Sequence, residues 1–209
     1  MPPPAPPEFF SKTRIEAFSD GVFAIIVTLL VLELKVPRVP EGQQLSAAGL
    51  ATALLPLLPK FGSWVVSFFM ICVTWENHHR VLGMFRAIDH GVFWLNAHLL
   101  LWLSFIPFPT ALIGDFFTNS TALCFFGLSL AAATVAFSLL RFYGLRHPGL
   151  LLPNISLTEY RRGTWRSVGF GVVPYLAGAA LSWVWPLGAL GLYALVPVYF
   201  ISRDATRPN

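Results

Sequence analysis

The chain has 209 residues, of which 56% are hydrophobic and only 11% charged, with a formal net charge of +4; mean hydropathy is +0.66 and the pI about 9.4. Ordinary soluble domains carry about a quarter charged residues, so the composition excludes a soluble domain and describes an integral membrane protein. No basic stripe interleaved with aromatics is present to bind nucleic acid, and the positive charges are read as topology determinants.

The opening MPPPAPPEFF lacks the basic region and small-residue cleavage site of a signal peptide and predicts a disordered, proline-rich tail over residues 1–12. Next comes RIEAFSDGVFAIIVTLLVLEL, Arg14 to Leu34, an apolar run with charges at its mouth, expected to be a membrane-spanning helix. At about 100° per residue, Ile25, Leu29 and Leu32 share an arc of roughly 60°, with Asp20 pointing nearly the opposite way. A carboxylate one residue before the apolar run is costly unless paired or wet, so Asp20 needs a partner.

Six apolar segments are expected as spans, over 13–35, 60–86, 90–113, 119–143, 164–184 and 187–203. They make one all-α domain over 13–203, followed by a tail at 204–209. Leu45 to Leu58 is too short to span and is closed by Pro56 and Pro59, which predicts a short helix at the membrane surface or beside a pore mouth. With alternating helices, eleven of the 14 Lys and Arg residues share the side that holds both termini, which makes that side cytoplasmic. The 3–4 connection near Asp115 to Ser120 has no basic residue. Residues 144–163 form the longest cytoplasmic loop, whose arginines suit anionic lipid headgroups. Gly169, Gly171, Ala177, Gly178, Ala179 and Ala180 on the fifth segment allow close helix approach, and Pro186 marks a helix start. Cys72 and Cys124 lie in apolar runs and are expected to be buried packing residues.

A second polar cluster, TWENHHR from Thr74 to Arg80, closes the second segment. Together with Asn96 and His98 on the third, it offers partners at about the depth of Arg14, Ser19 and Asp20. His78 and His79 point about 100° apart on a helix, unlike a zinc pair, so a hydrogen-bond network is favoured over metal. A proton relay through Glu76 and the histidines remains open as a minor reading. No phosphate-binding glycine loop, nucleophile–base pattern or TVGYG filter occurs, so no enzyme is expected, and no cofactor.

Arg14, Phe18, Ser19 and Asp20 form R-x-x-x-F-S-D ahead of GVFAIIVTLLVLEL, and with WENHHR (75–80) and FIPFPTALIG (105–114) the chain resembles the transmembrane protein 175 family of potassium channels. The resemblance implies a single-repeat bacterial member of the inner membrane: a homotetramer surrounded by lipid, with helix 1 lining a central potassium pore. It further implies that Ile25, Leu29 and Leu32 form the constriction, flanked by the hydroxyl of Thr28. Arg14, Phe18, Ser19, Asp20, Trp75, His78, His79 and His98 would form a structural polar network. Arg14 and Phe18 project onto the same stripe as the constriction, and four arginines there would repel cations. Arg14 is therefore expected to turn away, toward Asp20 of a neighbouring helix or groups near Trp75 and His98. The competing classes are a secondary transporter or proton pathway using Asp20, Glu76 and the histidines, and a non-conducting scaffold.

Overall fold

The computed structural model describes residues 11–38 and 46–204. The tails expected at the two ends, apart from Ser11, Lys12 and Asp204, lie outside the described residues, as does residue stretch 39–45 of the first loop.

All regular structure among the described residues is helical, apart from one isolated bridge between Phe85 and Leu151. Helix α1 spans Lys12–Leu30 and tightens into a 3-10 turn over Val31–Glu33; α2 (Ala47–Leu54) and α3 (Leu58–Gly83) are joined by the 3-10 turn Leu55–Leu57. Then come α4 (His90–Phe105), α5 (Pro107–Asp115), α6 (Ser120–Arg146), α7 (Leu157–Ser167), α8 (Val173–Leu181) and α9 (Pro186–Asp204). Among the described residues, four helical stretches are long and apolar enough to cross a membrane: Lys12–Glu33, Ala47–Gly83, His90–Asp115 and Ser120–Arg146.

Local chemistry explains the boundaries. The Asp89 carboxylate caps α4 by accepting from the Val92 amide at 2.8 Å, and its other oxygen accepts from the Tyr143 hydroxyl at 2.8 Å. Asn119 caps α6 through the amides of Thr121 and Ala122, and Ser156 caps α7 through Glu159; such caps satisfy orphan amides of the first turn. Pro56 and Pro59 do not close α2 off, contrary to the sequence expectation. Each falls at the first turn of the next helical segment, where a missing N–H costs nothing, and the helical stretch runs from Ala47 to Gly83, 37 residues in all. At 1.5 Å per residue that is about 55 Å, longer than a hydrocarbon core of about 30 Å, so part of it lies outside the core or runs aslant. Between α7 and α8 the chain forms a π-turn over Val168–Val172. Pro174, the second residue of α8, cannot donate to an α-helical ladder, a disruption that the wider turn absorbs.

Helix α6 is the spine: 61% of its most apolar window is buried, against 28% for α1 at the edge of the bundle. Small residues let neighbours reach it. A Cβ at Gly127 or Gly178 would run into the Tyr193 side chain, whose hydroxyl donates to the Leu123 carbonyl at 3.0 Å. Gly171 approaches Thr134 in the same way, while Gly169 has open space beside it. Pro186 does open α9. Cys72 and Cys124 are free thiols and half-buried. The expected long loop after α6 is largely ordered. It holds a 3-10 turn at Pro148–Leu150, and it pairs with the connection after α3 through Arg86 N to Leu150 O (2.8 Å) and Leu152 N to Met84 O (2.9 Å).

Helices run alternately up and down. The Lys12 ammonium at the start of α1 donates to the Phe85 carbonyl just past the end of α3 at 2.8 Å. Near the other end, Lys60 of α3 pairs with Asp115 at the end of α5 at 2.5 Å. Between them, the buried hydroxyls of Ser67 and Thr110 meet at 2.7 Å.

Candidate functional site

The site is helix α1, whose two faces differ in what holds them. One face carries Ile15, Ser19, Phe23, Ile26 and Leu30, all buried against α3 and α4. A buried polar chain runs through it. The Asn96 amide donates to Ser19 Oγ at 2.9 Å, and the Ser19 hydroxyl in turn donates to the Ile15 carbonyl at 2.9 Å. The Asn96 carbonyl oxygen meets His78 Nε2 at 2.6 Å. Because the amide nitrogen is committed to Ser19, its oxygen must accept, which makes His78 the donor at Nε2. The Phe23 ring packs on the His78 imidazole, with centroids 5.2 Å apart. Ser19, His78 and Asn96 are each at most 2% exposed, so each bond replaces one that water cannot supply.

A second tie lies at the surface. Trp75 donates its indole N–H to Asp20 Oδ1 at 2.8 Å, and His79 packs beside Trp75 at 6.1 Å between rings. Asp20 thus finds the partner its position demands, and that partner is neutral. Since both residues are exposed, Asp20→Ala leaves no buried charge behind. We expect it to lower stability by about 1 kcal/mol, seen as a small drop in the thermal midpoint of the purified protein. A loss of several kcal/mol would mean that a buried partner had been missed.

The remaining network residues lie apart. His98 is exposed and stands edge-on to Trp102, two residues along α4 from Asn96 and so on another face. Arg14 is exposed and makes no hydrogen bond or ion pair with a described residue. Phe18 is 60% exposed on the same side. Asn96, the junction of the buried chain, is among the partners the sequence offers but not among the network residues the resemblance implies; its signal in the sequence is a lone amide within HGVFWLNAHLLLWLSF.

The other face of α1 carries the apolar stripe. Ile25, Leu29 and Leu32 are 59%, 41% and 65% exposed, uncovered by the rest of the chain. Leu32 lies in the 3-10 turn. A 3-10 turn advances about 120° per residue rather than 100°, which swings Leu32 by roughly 20–40° toward the line midway between Ile25 and Leu29. Beside them Thr28 is exposed, and its hydroxyl donates to the Ile25 carbonyl at 2.9 Å. With its proton committed to the backbone, the hydroxyl oxygen presents lone pairs outward, the arrangement a cation can use. Among the described residues no group of three or more His, Cys, Asp or Glu side chains could hold a metal ion.

These features define an integral membrane protein whose first helix is locked by a polar chain on one face and bare on the other. The sequence profile described as the endosomal/lysosomal potassium channel TMEM175 matches residues 14–107. The chain is 34% identical to a protein of a Chryseobacterium species named as a potassium channel, over 93% of this chain and 94% of that one. It is 37% identical to another protein named as a potassium channel, from Chamaesiphon minutus, over 95% and 97%. A crystal structure described as a lysosomal potassium-selective channel TMEM175 homologue from Chamaesiphon minutus superposes with a TM-score of 0.79 at 34% identity, covering 92% of this chain and 97% of that chain. The chain belongs to the TMEM175 family.

Proposed function

We propose that this protein is a potassium channel, in which α1 from each of four copies faces a central axis and Ile25, Leu29 and Leu32 form stacked apolar rings. The observation that carries the reading is the bare face of α1: three apolar side chains in line, with Thr28 beside them, on a helix whose adjoining buried face is fixed in azimuth by Ser19, Asn96 and His78. Arg14, Asp20 and Thr28 are exposed on the same helix, and lipid is a poor solvent for them. The names of the relatives support potassium as the permeant ion. In this reading α7–α8 and α9 complete six spans, and both termini lie in the cytoplasm by the charge bias, in a bacterial inner membrane. The protein is a channel subunit, not an enzyme.

Apolar rings offer no oxygen to replace an ion's hydration shell, so an ion crosses with a partial shell or loses part of it uncompensated. Sodium holds its water more tightly than potassium, so the penalty falls harder on sodium and selectivity is moderate. Thr28 steadies a partly dehydrated ion, and Glu33, half-buried at the end of the 3-10 turn, raises the local cation concentration. The transporter or proton-pathway reading has less support, because its groups are committed elsewhere: Asp20 to Trp75, Glu76 to Arg80, His78 to Asn96.

The test is purified protein in liposomes under a potassium gradient. Conductive potassium flux, with sodium slower and no coupled substrate, is the expected result. Flux no greater than in empty liposomes would remove the channel reading.

A further inference from the structure

On the opposite side of α3 from the network, a cavity of about 510 Å³ opens between α3, α6, α7 and α9. That volume is in the range of ligand sites. Its lining is two-sided in character. Met70 and Phe137 supply apolar wall, while Arg80, Arg141, Arg162 and Arg166 supply positive charge, against the single lining carboxylate of Glu159. The π-turn also borders it, through Gly171, and such turns occur often at functional sites.

Arg141 is the informative member. It is only 8% exposed, yet every partner it has is neutral. Its Nε donates to Thr164 Oγ1 at 3.2 Å and one terminal nitrogen to the Tyr160 carbonyl at 3.2 Å. The guanidinium carbon sits 4.9 Å from the centre of the Tyr160 ring. No carboxylate pairs with it among the described residues, and a buried charge without a counter-charge is costly. Glu76, one turn before Arg80, is bonded to Arg80 at 2.5 Å and does not line the cavity.

We propose that this cavity is a binding site for a phosphate-bearing anion, with the phosphate held by Arg141 from below and by Arg162 and Arg166 from the rim. Arginine suits phosphate because its planar fork gives two parallel charge-assisted bonds. Two sources share this chemistry: the headgroup of an anionic phospholipid, whose chain the apolar wall would accept, and free phosphate. The site lies at the end of the bundle that holds the arginine-rich α7, where basic pockets between membrane helices meet anionic headgroups.

The experiment uses the purified full-length oligomer and native mass spectrometry with dioleoyl phosphatidylglycerol or dioleoyl phosphatidylcholine. A parallel arm takes the thermal midpoint of delipidated protein with and without millimolar inorganic phosphate. Saturable retention of one phosphatidylglycerol per chain, about tenfold over phosphatidylcholine, supports the site and assigns it to lipid. A phosphate-dependent rise of the midpoint without lipid preference supports it and assigns it to free phosphate. In either case Arg162→Gln/Arg166→Gln should remove most of the effect, and Arg161→Gln, exposed and outside the cavity, should not. Because Arg141 also ties α6 to α7, Arg141→Lys is the variant of choice there: it keeps the charge, loses the fork and should weaken retention. Equal retention of both lipids with no phosphate effect overturns the proposal. So does a preference unchanged in Arg162→Gln/Arg166→Gln and in Arg141→Lys.

Discussion

Ile25→Asn is expected to raise single-channel conductance several-fold and to erode the preference for potassium over sodium. Ile25 is 59% exposed at the midpoint of α1's bare face, and in the proposed tetramer four amides in place of four butyl groups would wet its ring. A wet ring asks less dehydration of the ion, and the difference between sodium and potassium shrinks with it. The readout is the bi-ionic reversal potential, where each tenfold of selectivity corresponds to about 59 mV for a singly charged ion. Leu29→Ala and Leu32→Ala widen their rings without wetting them, so conductance should rise more than selectivity falls. Leu32→Ala should behave like Leu29→Ala, because the 3-10 turn brings Leu32 into line. If all three variants keep both conductance and selectivity, α1 does not line the pore by this face.

What the sequence could and could not reveal follows from chemistry. The period of α1 was legible, but its azimuth was not. Ile25 and Ile26 are identical side chains on neighbouring positions, yet one is 59% exposed and the other 1%. In a helix that is apolar all round, polarity does not say which face meets a partner; periodicity picked out the stripe, and only the resemblance gave it a role. The network was legible as a cluster but not as a list of bonds. Asn96 and His98 differ by two positions, and nothing in their residue type says that the amide is the buried one. Pro56 and Pro59 misled because a proline in the first turn of a helix has the same sequence as a proline ending the previous one. The cavity around Arg141 was invisible for a simpler reason: an arginine near the end of a membrane helix counts first as a topology charge, and only the fold shows it covered by α7.

Asn96→Leu is expected to cost about 2–4 kcal/mol of stability, the largest effect of any single change in the buried chain. The side chain is 2% exposed and performs both halves of the contact, donating to Ser19 and accepting from His78. Leucine has the same branched outline and is somewhat bulkier, so the loss is not a cavity. It is two bonds and a buried imidazole N–H left without an acceptor, worth about 1–3 kcal/mol alone. The diagnostic is a double-mutant cycle with His78→Phe, a ring swap that keeps the stacking on Phe23. With both partners apolar no imidazole N–H is left without an acceptor, so the double variant should be more stable than the sum of the single losses by about 1 kcal/mol or more. Denaturant unfolding of the purified protein measures all four corners. Strict additivity would mean that the 2.6 Å contact contributes nothing. The same variants carry a functional consequence, since Ser19 hooks α1 to α4 on the buried face beside the stripe: with Asn96→Leu the helix loses its azimuthal stop, and conductance should become variable where Ile25→Asn makes it uniformly larger.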